Sequence, residues 1–256
     1  MIDIHVHILP SLDDGSQTID ESVAMANAAV SDEVECLVAT PHGGLWGVEL
    51  SRRIVEASAE NLRQVLREKG IQLRLLSGIE VYVDPTVLDQ VQKGTAFTLN
   101  GSRYILVELP MDFYPNFTEQ VLFQLQVNGY VPVLAHPERC RAFQRDLGGL
   151  RRLIERGMIS QVTAGSIVGD FGRTVQQTAE MMLEHNLAHI IASDAHSPDT
   201  RPPVLSKAVE RAARIVGYDQ ALAMVTAVPE AIINNQTPHL LEPLPVKQKK
   251  GWALWR

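Results

Sequence analysis

Cysteine is scarce in this 256-residue chain: Cys36 and Cys140 are too few and too far apart for a disulfide framework, which points to a reducing compartment. Neither opens a Cys-x5-Arg phosphate loop, because six residues further on stand His42 and Asp146. Positive charge is also in short supply. A net charge of -7 and a pI near 5.6 exclude a general nucleic-acid binder, which would present a basic face. No apolar run approaches the ~20 residues of a membrane span. No basic region or cleavage site precedes the first strand, so neither an integral membrane segment nor a secretion signal is expected, and a cytoplasmic location is. What is present is apolar mass: 45% hydrophobic residues over this length suit one large core, and a single α/β barrel fits better than two small domains.

Met1-Ile2-Asp3-Ile4-His5-Val6-His7 reads as a buried strand with His5 and His7 on one face and Ile2, Ile4 and Val6 on the other. The turn-forming loop Leu9 to Gly15 follows, then a helix opened by a Thr18–Glu21 capping box, with Ile19, Val23, Ala26 and Val30 as its buried stripe. Cys36–Thr40 reads as a second strand running into Pro41-His42-Gly43-Gly44. A helix around Leu62, Val65 and Leu66 stops at Gly70, and Leu73–Val83 forms a third strand containing Gly78-Ile79-Glu80. Tyr104–Leu109, Val131–Ala135, Ser160–Thr163 and His189–Ser193 complete seven strands, each separated from the next by helical periodicity. Strand–helix alternation at about thirty residues per unit predicts a parallel sheet closed as a distorted seven-stranded (β/α) barrel. Residues 1–241 would form it, leaving a proline-punctuated tail, 242–256, with Lys247, Lys249, Lys250, Trp252 and Trp255. That tail is expected to pack on the barrel or a neighbour, with attraction to an acidic partner or membrane surface as the alternative.

Functional side chains of an α/β barrel gather at the C-terminal strand ends. Ligand-type residues recur there: His5 and His7 on strand one, Asp14 in the first loop, His42 after strand two, Glu80 in strand three, Glu108 ending strand four, His136 after strand five, Asp194 and His196 after strand seven. Imidazole and carboxylate donors without thiolates suit Mn, Fe or Zn. Arg139 and Arg201 follow strand-end ligands and are candidate anion contacts, since a guanidinium fork matches phosphate oxygens. Asp13 reads as a turn residue, His185, His189 and His239 as structural, and Arg141 and Arg145 as surface residues.

Ile4-His5-Val6-His7, Asp13-Asp14-Gly15, Thr40-Pro41-His42, Gly78-Ile79-Glu80, Glu108, His136-Pro137-Glu138-Arg139, Thr163-Ala164-Gly165-Ser166 and Ser193-Asp194-Ala195-His196 together resemble the PHP (polymerase and histidinol phosphatase) superfamily. Within it the chain looks most like the bacterial protein-tyrosine phosphatases of capsule and exopolysaccharide synthesis, the CpsB/CapC type. Gly43 departs from the pattern, standing where relatives often carry a second histidine, so the fit of substrate beside it is expected to differ. The resemblance implies a trinuclear site, with Mn2+ favoured. One ion would be held by His5, His7, Glu80 and Asp194, a second by Glu80, Glu108 and His136 with Glu80 bridging, and a third by Asp14, His42 and His196.

Three divalent ions would outweigh the carboxylates of Asp14, Glu80, Glu108 and Asp194, making the site locally positive in an acidic protein. The implied activity is phosphotyrosine hydrolysis by a metal-activated hydroxide, with the tail of a bacterial tyrosine kinase as the implied partner. Because a phenolate leaves with a pKa near 10, a strong general acid is less necessary; metal-bound water, Asp194 and His196 are the candidates. Alternatives are a small-molecule phosphatase or phosphodiesterase of the same superfamily, such as one acting on histidinol phosphate, and a non-catalytic module that binds phosphoproteins.

Overall fold

The computed structural model describes residues 1–43 and 50–246. Gly44 and the tail residues Lys247, Lys249, Lys250, Trp252 and Trp255 lie outside the described residues, and 242–246 run on as irregular chain. The strands are β1 (Ile2–Val6), β2 (Cys36–Ala39), β3 (His42–Gly43), β4 (Arg74–Ser77), β5 (Glu80–Tyr82), β6 (Tyr104–Glu108), β7 (Val131–Ala135), β8 (Ile159–Thr163) and β9 (Ile190–Ala192). All pairings are parallel, in a three-stranded sheet β1-β2-β4 and a six-stranded sheet β3-β5-β6-β7-β8-β9.

The α/β class and the parallel strands agree with the expectation; the strand count does not. Two of the seven expected passes are interrupted. The pass through Cys36 breaks at Thr40-Pro41 into β2 and β3, where proline supplies no N–H for a ladder bond. The pass from Leu73 to Val83 breaks at Gly78-Ile79 into β4 and β5, so each half joins a different sheet. Gly78 sits at a close approach: a Cβ there would lie 2.9 Å from Leu99 Cδ2. Chain segments at β1 and β9 meet through a Val6–Ala195 bridge, with His7 N–H donating to Ala195 O at 2.8 Å and Asp194 N–H to His5 O at 2.9 Å.

Alternate residues along the strands feed two apolar layers. Leu37, Ile105, Val107, Leu134 and Ile191 pack with helix residues such as Leu62, Leu122, Leu153 and Met182, while Val38, Leu106, Val133 and Ile190 form a second cluster on the opposite face. The register of β1 against β2 shifts between Asp3 and Val6. This irregularity overturns strict alternation there: Ile4 joins the second cluster, but Val6 joins the helix-facing one. Helix Arg52–Glu68 buries Val55, Ala59, Leu62 and Leu66 at helical spacing, and Gly70 beyond its end takes φ +70°, as a left-handed cap requires. Helix Ile19–Ser31 is rotated from the expected stripe. It buries Ser22, Met25, Ala26 and Ala29 and leaves Val30 exposed. Thr18 does accept from Glu21 N–H at 3.2 Å, whereas the Glu21 carboxylate reaches the N–H of Gln17. Ala164-Gly165-Ser166 opens a short helix, Ala164–Val168. No helix among the described residues is long and apolar enough to cross a membrane.

Candidate metal centre

The strand ends deliver their ligand-type side chains to one place. His5 and His7 come from and just after β1, His42 from β3, Glu80 from β5, Glu108 from the end of β6, His136 just after β7, and Asp194 and His196 after β9. Asp14 reaches in from the first loop. His136 (φ +32°) and Asp194 (φ +52°) both take left-handed backbone as the chain leaves its strand, a conformation unfavourable for side-chain-bearing residues and typical of functional sites. His5, His7, Glu80 and Asp194 are almost wholly buried; Asp14, His42 and His196 line the mouth.

His5 Nε2, His7 Nε2, Glu80 Oε2 and Asp194 Oδ1 form a tight group. The five separations linking the histidine nitrogens to each other and to the two carboxylates run from 3.1 to 3.4 Å. Four donors about 2.1 Å from a common centre in a tetrahedron stand about 3.4 Å apart, so this spacing is that of ligands around one cation. The remaining ring nitrogens are occupied. His5 Nδ1 lies 3.0 Å from Gln161 Oε1 and His7 Nδ1 donates to Asp13 Oδ2 at 2.6 Å, which turns both Nε2 atoms inward. Glu80 Oε2 is buried and makes no hydrogen bond, although three imidazole nitrogens lie within 3.4 Å of it. An ion is the partner this oxygen lacks, and the donor set fits a divalent one.

Around that group the others overlap. Asp14 Oδ1 lies 3.5 Å from His42 Nε2 and 3.4 Å from His196 Nε2, and His7 completes this set. His196 Nδ1 donates to Asp194 O at 3.0 Å, leaving Nε2 toward Asp14. His136 Nε2 is 3.0 Å from Glu80 Oε1 and 3.8 Å from Glu108 Oε1. His42 faces two groups: its Nε2 lies toward Asp14, with His196 in the same set as expected, and its Nδ1 faces Glu80 Oε2 at 3.0 Å and Glu108 at 3.9 Å.

Electrostatics report the same crowding. Burial pushes the Glu80 carboxyl up, but the charge of His5, the bond from His136 and the His42 imidazole beside it outweigh it and hold it well below the carboxylate range. Burial and the neighbouring Glu80 charge push Glu108 up to about 7. Burial pushes His7 down, yet the Asp13 carboxylate bound to its ring holds it well above the usual histidine value.

Arg139 Nη1 and Arg201 Nη2 both donate to Asp194 Oδ2, at 2.7 and 2.6 Å. They line a cavity of about 340 Å3 together with Asp14, His42, Tyr82, Glu108, Met111, His136, Asp194 and His196. Arg141 pairs at the surface with Asp112, and Arg145 is exposed. His189 is buried with Nδ1 accepting from Ser160 N–H, His185 bonds Met181 O at a helix end, and His239 is exposed.

Three supporting residues escaped sequence reasoning. Asp13 is no mere turn residue: it binds His7 and accepts from the N–H groups of Gly15 and His42. Gln161 holds His5, and nothing in its sequence surroundings distinguishes it. Buried Asp3 accepts from the N–H groups of His5 and Ser193, tying the first strand to the last; its position two before His5 was the available signal. Glu138, the acid of His-Pro-Glu-Arg, points away from the cavity and accepts from Thr163 N–H and Ser166 Oγ.

Tyrosine-protein phosphatase YwqE of Bacillus subtilis is 37% identical over 250 residues, covering 98% of both chains. The putative tyrosine-protein phosphatase CapC of Staphylococcus aureus is 33% identical over 254 residues, covering 99% of this chain and 100% of its own. A structure from work describing YwqE of Bacillus subtilis and CpsB of Streptococcus pneumoniae as unique metal-dependent tyrosine phosphatases matches with a TM-score of 0.93 at 37% identity. It covers 96% of this chain and 100% of that one. A family model described as capsular polysaccharide synthesis, CpsB/CapC, matches residues 1–234, and with a ligand cluster built from seven strand ends and loops inside that span, this chain belongs to the CpsB/CapC family.

Proposed function

We propose that this chain is a manganese-dependent protein-tyrosine phosphatase acting on a bacterial tyrosine kinase that controls capsule or exopolysaccharide synthesis. The observation that carries the reading is the His5–His7–Glu80–Asp194 group at metal-ligand spacing, facing a cavity bordered by Arg139 and Arg201. Its likeness to YwqE, CapC and CpsB supports the substrate class. In this reading His5, His7, Asp14, His42, Glu80, Glu108, His136, Asp194 and His196 would hold three divalent ions, with Glu80 and His42 each common to more than one ligand group. Divalent ions bound there supply Lewis acidity and acidify water enough for attack at neutral pH.

The chain's own groups do the rest. The free donors of Arg139 and Arg201 take phosphate oxygens, while Asp194 Oδ2 holds both guanidiniums at fixed angles. Tyr82 and Met111 border the cavity, where they would flank the tyrosine ring. A phenolate with a pKa near 10 makes a light demand on a proton donor; Asp194, with Oδ1 in the ligand group and Oδ2 accepting two guanidiniums, carries no proton, so a water held beside Asp194 and His196 would supply it. The same reading joins the two sheets into one distorted seven-pass barrel over residues 1–241, supported by the Val6–Ala195 bridge, with 242–256 as an appended tail. Buried, unbonded Cys36 and Cys140 support a cytoplasmic setting.

The test is a comparison of substrates. Mn-loaded protein is given a phosphotyrosine peptide, a phosphoserine peptide and histidinol phosphate, with Glu80→Ala as control. Phosphotyrosine should be preferred and the control inactive. Preference for histidinol phosphate would replace this reading with the small-molecule one, and no hydrolysis of any of the three would favour a binding module.

A further inference from the structure

The Ala164-Gly165-Ser166 segment contributes no ligand and no residue to the cavity, yet it is tied to the site. Glu138, next to Arg139, accepts from Thr163 N–H at 3.0 Å and from Ser166 Oγ at 2.6 Å. The turn after this helix carries Phe171 between Gly169 (φ +102°) and Gly172 (φ +88°), two positions that strongly favour glycine. Gly165 lies against the Phe171 ring, so close that a Cβ on it would stand 2.9 Å from Phe171 Cε2. On that ring rest both arginines: the guanidinium carbon of Arg139 is 4.8 Å from its centroid and that of Arg201 5.5 Å.

Two cations that share one carboxylate oxygen repel each other, and Asp194 Oδ2 alone leaves each guanidinium free to swing about its single bond to that atom. A π face within about 6 Å attracts both and supplies a second fixed point for each. Arg201 has a third, donating to Asp194 O at 2.8 Å. We propose that Phe171 is a positioning residue of the phosphate clamp: its ring, seated on Gly165, sets the directions in which Arg139 and Arg201 present their free donors. This rests on the phosphate-binding role proposed above for the two arginines. Phe171 belongs neither to the ligand groups nor to the cavity lining and reaches the site through Arg139 and Arg201, so its effect is on anion binding and not on metal uptake.

Phe171→Leu keeps an apolar side chain of similar bulk without the π face, and Phe171→Trp restores a π face. Room for the larger ring exists in a neighbouring cavity of about 240 Å3, bordered by Phe171, Val168 and Val204. Gly165→Ala displaces the ring without altering it. The readouts on Mn-loaded protein are Kd for inorganic phosphate by calorimetry, KM and kcat for a phosphotyrosine peptide, and bound metal. Phe171→Leu and Gly165→Ala should each raise Kd and KM about fivefold to twentyfold with bound metal unchanged. Phe171→Trp should stay within about twofold of the parent, and the Gly165→Ala, Phe171→Leu double variant should lose little beyond either single change. Unchanged Kd in Phe171→Leu, loss of metal in parallel with loss of affinity, or a Trp variant as weak as Leu would each overturn the proposal. A parent that binds phosphate but does not hydrolyse phosphotyrosine overturns the proposed activity alone, because the calorimetric comparison does not depend on turnover.

Discussion

His7 donates from Nδ1 to Oδ2 of Asp13 across 2.6 Å. The bond fixes which nitrogen faces Glu80 and Asp194, and the same carboxylate holds the N–H groups of Gly15 and His42. Asp13→Asn keeps the size but replaces an anionic acceptor with a neutral amide that can flip. Metal affinity should fall about tenfold to a hundredfold, read as Kd in a chelator competition. Asp13→Ala should be worse, since the two N–H groups also lose their acceptor.

Arg139→Lys preserves charge and removes the fork. A lysine can still reach one oxygen, but it cannot hold Asp194 and phosphate in the same plane. KM for a phosphotyrosine peptide should rise about tenfold to a hundredfold with metal content intact. Loss of metal on elemental analysis would show instead that Arg139 supports the ligand Asp194.

Stripping the metal should lower thermal stability, because Glu80 Oε2 is buried and has no hydrogen-bond partner without a cation. Mn2+ at about 100 times its Kd stabilises the protein by about 2.7 kcal/mol, a rise of several degrees in midpoint. Glu80→Gln should abolish the rise. A full Mn-dependent shift in that variant would count against Glu80 as the bridging ligand.

Gly15 completes the Asp13-Asp14-Gly15 loop for a steric reason. A Cβ there would fall 2.2 Å from His7 O and 2.5 Å from His7 Cβ, and Ser16 N–H already donates to that same His7 carbonyl. Gly15→Ala must therefore push the first strand end aside, at a cost of about 3 kcal/mol, measured by urea unfolding. Metal content should fall with it, since His7 moves.

His189 gives a pH dependence separate from the metal site. Burial alone holds its imidazole down to about 4, and its Nδ1 accepts from Ser160 N–H. In the unfolded chain it titrates near 6.5, so below that pH the unfolded state binds the extra proton. The stability associated with neutral His189 is fully present above pH ~6.5 and declines as pH falls toward ~4, by up to about 3 kcal/mol. His189→Gln removes this titration. Between pH 7 and 5 its urea midpoint should drop less than the parent's; equal slopes would remove His189 as the cause.

The sequence by itself determined the parallel α/β class, the order of strands and helices, and which nine side chains would meet. Each is a local matter: apolar runs make buried strands, 3.6-residue stripes make helices, and a parallel strand's C-terminal end must face the same rim as its neighbours'. Tertiary structure decided what depends on the exact approach of distant segments. The irregularity in β1 turned Val6 to the other face, Pro41 and Gly78 split two passes between sheets, and Val30 rotated out to the surface. It also decided the layer behind the ligands. Asp13 is six residues from His7, but Gln161 is 156 residues from His5, and Phe171 is 32 and 30 residues from the two arginines it carries. Hydrogen-bond and π contacts at such separations leave no periodic trace in a sequence, because any residue of the right chemistry can be brought to them by the fold.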